Sequence, residues 1–135
     1  MRNDILETLK AVFDTKWQIE ENERRIERWR ALVERTNPIL SDMPKGNRIA
    51  DTVGDCIAEI TTLEDENNRL TAELLEQQRT NQKLIDSKLS GEQAEIMCKR
   101  YVECLTWNEI EYQTGHSHNK LMASHRRAIA ILGET

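Results

Sequence analysis

Between residues 49 and 88 apolar side chains return every third or fourth position with no proline, a spacing that commits this stretch to one long helix. Val53, Ile60, Asn67, Leu74 and Asn81 fall at one core position of a heptad, and Ile49, Cys56, Leu63, Leu70, Gln77 and Leu84 at the other. β-Branched residues at the first position, leucine at the second and the polar Asn67 in mid-run suit a parallel two-stranded coiled coil. Glu59 and Glu64 would then oppose one another between two copies. The alternative partner is the chain's own first segment. From about residue 3 to 35, Ile5, Leu9, Val12, Ile19, Ile26 and Val33 recur at spacings of three, four or seven, interrupted by Lys16, Glu23 and Arg30, with Trp17 and Trp29 off the stripe. Arg24, Arg25, Arg28 and Arg30 of that segment could face the acidic second helix in an antiparallel hairpin, and Ile57 and Ile85 widen the apolar stripe beyond one seam. The favoured reading is a hairpin that dimerises into a bundle. Asn67 either is tolerated in a wet seam or specifies its register.

Residues 36 to 47 hold both prolines, Pro38 and Pro44, together with Gly46, and are expected to break the helix. Only five glycines in 135 residues, with 38% hydrophobic and 32% charged side chains, disfavour turn-rich sheets and a wide core. The fold class expected is therefore all-α: a long N-terminal helical hairpin or coiled coil in residues 1 to 89, then a separate C-terminal domain in residues 90 to 135. No stretch approaches the ~20 apolar residues of a membrane span, and the charged first ten residues do not read as a signal peptide. Three scattered cysteines, Cys56, Cys98 and Cys104, read as small apolar side chains in a reducing cytoplasm.

After Leu89 the pattern becomes three short units, each with a capping signal. Ser90 with Gln93 opens the first, Thr106 with Glu109 the second, and Ser117 the third, with Gly115 closing the second. Two short helices joined by a tight glycine turn, the second of them basic, form the helix-turn-helix pattern. Although the formal net charge is −5, no acid lies between Glu111 and Glu134, a window that holds Lys120, Arg126, Arg127 and all three histidines. His118, Asn119 and Lys120 occupy the first turn of the basic helix, where base edges are approached, so they are the candidate base readers. Arg126, Arg127, Ser117 and Thr106 are the candidate phosphate contacts. His125 falls on the rear face and reads as a hydrogen-bonded structural histidine, while Trp107 reads as core. Cys104, His116 and His118 lack metal-ligand spacing, and no nucleophile and base pair or phosphate loop can be assembled. No enzyme activity and no cofactor or metal are expected.

The run Arg100-Tyr101, Trp107, Ile110, Gly115, Ser117, Leu121, His125, Ala128 and Ile129 resembles the phage-encoded transcriptional regulators of the ArpU and RinA type, whose C-terminal domain looks like region 4 of bacterial sigma factors. The stretch Ser41-Asp42-Met43-Pro44-Lys45-Gly46, followed by Asp51 and the second helix, is similar to the linker of one branch of that family. The likeness spans about residues 36 to 132 and implies phage transcription control, typically of late genes. One departure stands out: where the family has a small alanine after the isoleucine of the supporting helix, this chain has Glu111. Its carboxylate must splay the helices or turn outward toward Lys120 or Arg127.

The leading expectation is thus a sequence-specific double-stranded-DNA-binding regulator acting as a homo-oligomer, a dimer in the favoured reading, with contact to RNA polymerase as an added option. Ile49, Val53, Ile60, Leu63, Asn67, Leu70, Leu74 and Leu84 are the candidate oligomerisation residues. The competing readings are a small terminase-like subunit that recognises viral DNA and a coiled-coil adaptor that binds protein alone.

Overall fold

The computed structural model describes the backbone of residues 2–41 and 48–134 and the side chains of residues 4–36 and 48–134. The chain is all-helical, with no strand among the described residues: α1 (Arg2–Ser41), α2 (Arg48–Lys88), α3 (Gly91–Tyr101), α4 (Trp107–Thr114) and α5 (His118–Leu132). The break expected at residues 36 to 47 begins later, because α1 continues to Ser41. Pro38 lies in the last turn of α1, where the lost N–H bond and the crowding at the carbonyl four residues earlier affect only the helix end. Pro44 and Gly46 lie outside the described residues.

Contacts divide the chain into two units, and the division crosses both long helices instead of falling at residue 89: Lys16–Ala72 form one, and Met1–Thr15 with Glu73–Thr135 the other. In the first, Ile26, Ile60 and Leu63 bury one seam with Trp29 packed against it. Polar side chains set its register. Asn22 donates from Nδ2 to Asn67 Oδ1 at 2.9 Å, and Asn67 donates from its own Nδ2 to the Ile19 carbonyl at 3.2 Å. Arg30 reaches Glu64 at 3.1 Å, a half-exposed pair worth about 0–1 kcal/mol. Partner numbers on α2 fall as those on α1 rise, so within this unit the helices run antiparallel. Ile60, Leu63 and Asn67 are therefore engaged within the chain and are not a vacant seam for a second copy. Trp17 at 57%, Ile57 at 50% and Leu32 at 44% exposure remain open to solvent, while Ile49, Val53 and Leu70 are half-buried.

In the other unit Leu9 and Ile85 share a core with Leu89, Met97, Tyr101, Ala128 and Leu132, and Leu84 packs against it half-buried. Residues 90 to 135 are thus not closed on themselves. Without the early turns of α1 and the end of α2, the inner faces of Met97, Tyr101 and Leu132 would meet water. Three amides of α2 complete this junction. Asn81 Nδ2 donates to the carbonyls of Leu9 at 3.1 Å and Tyr101 at 2.8 Å. Gln78 donates to the Val102 carbonyl at 2.8 Å, and Gln82 reaches Cys98 Sγ at 3.3 Å. Asn81 and Gln78 thereby take up the Tyr101 and Val102 carbonyls at the C-terminal end of α3, which a helix end leaves without internal partners. No helix among the described residues is long and apolar enough to cross a membrane.

Candidate nucleic-acid interface

The turn between α4 and α5 follows from local chemistry. Thr106 Oγ1 accepts from Glu109 N at 3.1 Å while the Glu109 carboxylate accepts from Thr106 N at 3.1 Å, a reciprocal cap of the kind worth about 1 kcal/mol. Gly115 ends α4 at φ 74, its N–H donating to the Glu111 carbonyl at 2.9 Å, a backbone that costs an L side chain about 1–2 kcal/mol. Ser117 then caps α5 by accepting from Lys120 N at 3.2 Å. Both capping hydroxyls keep their own proton to donate outward. The third expected cap does not form: Ser90 makes no side-chain bond to α3, because Gly91 follows it at φ 61 and turns the first amides away from the hydroxyl.

Behind the turn, Ile96, Ile110 and Leu121 are buried together, with Leu105, Trp107 and Met122 against them. The inward face of α5 is Leu121, Ser124, Ala128 and Leu132. That leaves Asn119, Lys120, Arg126 and Arg127 exposed, with the half-buried Ala123 between them at helical spacing. His118 is exposed too, and its Nδ1 lies 3.7 Å from Glu111 Oε2. Glu111 therefore turns toward His118, not toward Lys120 or Arg127 as the sequence suggested. Lys120 is drawn instead to Glu92 of α3, at 3.6 Å, where His116 also approaches at 3.4 Å. Glu92 has no local sequence signal, since only the packing of α3 beside the turn brings it there. Tyr112, 91% exposed on the outer face of α4, is a second surface residue outside the sequence-derived set. Among the described residues no group of three or more His, Cys, Asp or Glu side chains is placed to hold a metal.

The rear of α5 carries a cluster of rings. His125 Nε2 lies 2.6 Å from the Tyr101 hydroxyl, and its ring meets Trp107 edge-on at 5.2 Å. The Arg100 guanidinium sits over Phe13 at 4.4 Å and over Trp107 at 5.2 Å, and donates to the Leu105 carbonyl at 2.9 Å. Trp107, half-buried against the Ile96–Ile110–Leu121 cluster, presents one face to that cation. Burial first, then the charges of Arg100, Lys10 and Arg126, hold the His125 imidazole below its usual range, and burial holds the Tyr101 phenol above its own. The neutral imidazole and the Tyr101 hydroxyl share this short hydrogen bond, whose direction is set by the tautomer of His125.

A pH dependence follows. Because the folded-state value of His125 is depressed, the unfolded chain takes up a proton first as pH falls through about 6.5, and stability drops until the folded histidine also titrates. Above that window the group contributes no pH dependence. Urea midpoints measured at pH 7.5 and 5.5 should fall further in the wild type than in His125→Gln, and an equal fall in both would show that His125 does not carry this effect.

Compared with known protein families, with curated proteins and with solved structures, the chain gives no match, so the functional reading rests on its own residues and geometry.

Proposed function

We propose that this chain is a sequence-specific double-stranded-DNA-binding regulator of phage type, built as an N-terminal helical hairpin followed by a three-helix helix-turn-helix. Control of late or packaging genes, in a bacterial cytoplasm and with RNA polymerase as a further partner, belongs to the same proposal. The observation that carries it is the α4–α5 turn: capped on both sides of Gly115, it backs α5 on a buried face and leaves Asn119, Lys120, Arg126 and Arg127 outward. Asn119 and Lys120, in the first turn, would read base edges, with His118 beside them, while Arg126, Arg127, Ser117 and Thr106 would hold phosphates. The Lys120–Glu92 pair is half-exposed, and exchanging such a pair for a guanine edge costs little. Self-association fits the unit Lys16–Ala72, where two helices share a single buried seam and leave Trp17, Leu32 and Ile57 uncovered. That same Glu92 favours the competing adaptor reading, because it offsets positive charge where DNA would approach.

Binding of the full chain to a duplex selected from random sequence tests this. Asn119→Ala or Lys120→Ala should cost about 1–3 kcal/mol on the selected duplex and much less on random DNA. Arg126→Ala or Arg127→Ala should weaken both alike and flatten the salt dependence. Light scattering at tens of micromolar should give a mass above the 15.8 kDa of one chain. If all four folded variants bind both duplexes as the wild type does, α5 is not the reading surface and the adaptor reading leads; a ring-sized assembly would instead favour a terminase-like subunit.

A further inference from the structure

We infer that the DNA-contacting surface extends from α5 onto the first helix of the chain, where Lys10 neutralises a backbone phosphate near the one held by Arg126; this rests on the DNA reading above. Phe13, one turn after Lys10, is stacked under the Arg100 guanidinium at 4.4 Å and tilted against the Tyr101 ring at 5.7 Å. Tyr101 holds His125 at 2.6 Å, and Arg126 is the next residue of α5. This continuous chain of contacts brings the Lys10 turn of α1 beside the middle of α5. The charged groups acting on His125 are accordingly Arg100, Lys10 and Arg126, drawn from α3, α1 and α5, and no carboxylate is among them.

These cations are not neutralised locally. Among the described residues Lys10, Arg100, Arg126 and Arg127 form no salt bridge, although Glu7 and Asp14 flank Lys10 on α1. Arg100 is pinned by the Leu105 carbonyl and two rings, so it supplies fixed positive potential, whereas Lys10 and Arg126 are exposed and free to reach outward. In a chain of formal net charge −5, converging cations from three helices repel one another, and a regularly spaced polyanion relieves that repulsion. The elongated phosphate backbone of a duplex lying along α5 matches this arrangement better than a single small anion would.

The test is the salt dependence of full-length protein binding to its selected duplex and to a random one. Lys10→Gln should lower the slope of log affinity against log salt by about one and weaken both complexes roughly five- to ten-fold near 0.1 M salt. Lys10→Arg should restore the slope, and Arg25→Gln, in the unit Lys16–Ala72, should leave it unchanged. An unchanged slope for Lys10→Gln, alongside a reduced one for Arg126→Gln, overturns the extension onto α1 and leaves the DNA reading standing. A wild-type chain that binds neither duplex overturns both.

Discussion

Replacing Asn81 by aspartate should destabilise the unit containing α3 to α5 by about 3–5 kcal/mol at neutral pH, despite the near-identical shape of the two side chains. Asn81 is 1% exposed and directs both N–H bonds of its amide at carbonyl oxygens, those of Leu9 and Tyr101. A carboxylate there has no proton to give and meets two acceptors, so repulsion replaces both bonds and a charge is buried without a partner. The penalty should shrink on acidification. Burial raises the introduced carboxyl in the folded state above its unfolded value, so as pH falls it binds a proton preferentially in the folded state and regains one donor. Urea unfolding at pH 7.5 and 5 should show the variant gaining stability relative to the wild type at the lower pH. A loss below about 1 kcal/mol at pH 7.5 would mean the amide does not bridge the two carbonyls.

Two isoleucines of α2 that look alike in the sequence should behave differently. Ile85 is 0% exposed in the core shared with Leu9, Met97 and Tyr101, and Ile85→Ala should cost about 2–5 kcal/mol through lost burial and the cavity left behind. Ile57 is 50% exposed, and Ile57→Ala should change the stability of dilute protein by no more than about 0.5 kcal/mol. Under the proposed self-association its cost should grow with protein concentration, because only a second copy would cover it. Denaturation at two concentrations a hundred-fold apart measures both; equal costs for the two substitutions would contradict the placement of Ile85 in the core.

Much of the candidate site was legible in the residues themselves. Thr106 with Glu109, Gly115 and Ser117 act within four residues of their own positions, so their caps and turn could be read from spacing alone, as could the inward rows of Leu121, Ala128 and Leu132. Ser90 shows where such reading stops, since one left-handed glycine beside it was enough to take its hydroxyl out of the cap. Heptad spacing likewise identified α2 as a long helix with a buried stripe but not what the stripe faces, because one row of leucines fits a second copy and the chain's own α1 equally well.

Local periodicity, capping chemistry and the scarcity of glycine and proline determined that this protein is helical and where its short helices begin, because these forces act over one or two turns. Tertiary structure alone decided that Asn67 answers Asn22, that Asn81 bridges Leu9 and Tyr101, that Glu92 draws Lys120, and that Phe13 of α1 stacks under Arg100 of α3. Those pairings join residues far apart along the chain, and the register that creates them is set by how whole helix faces pack, a property no local window of residues contains.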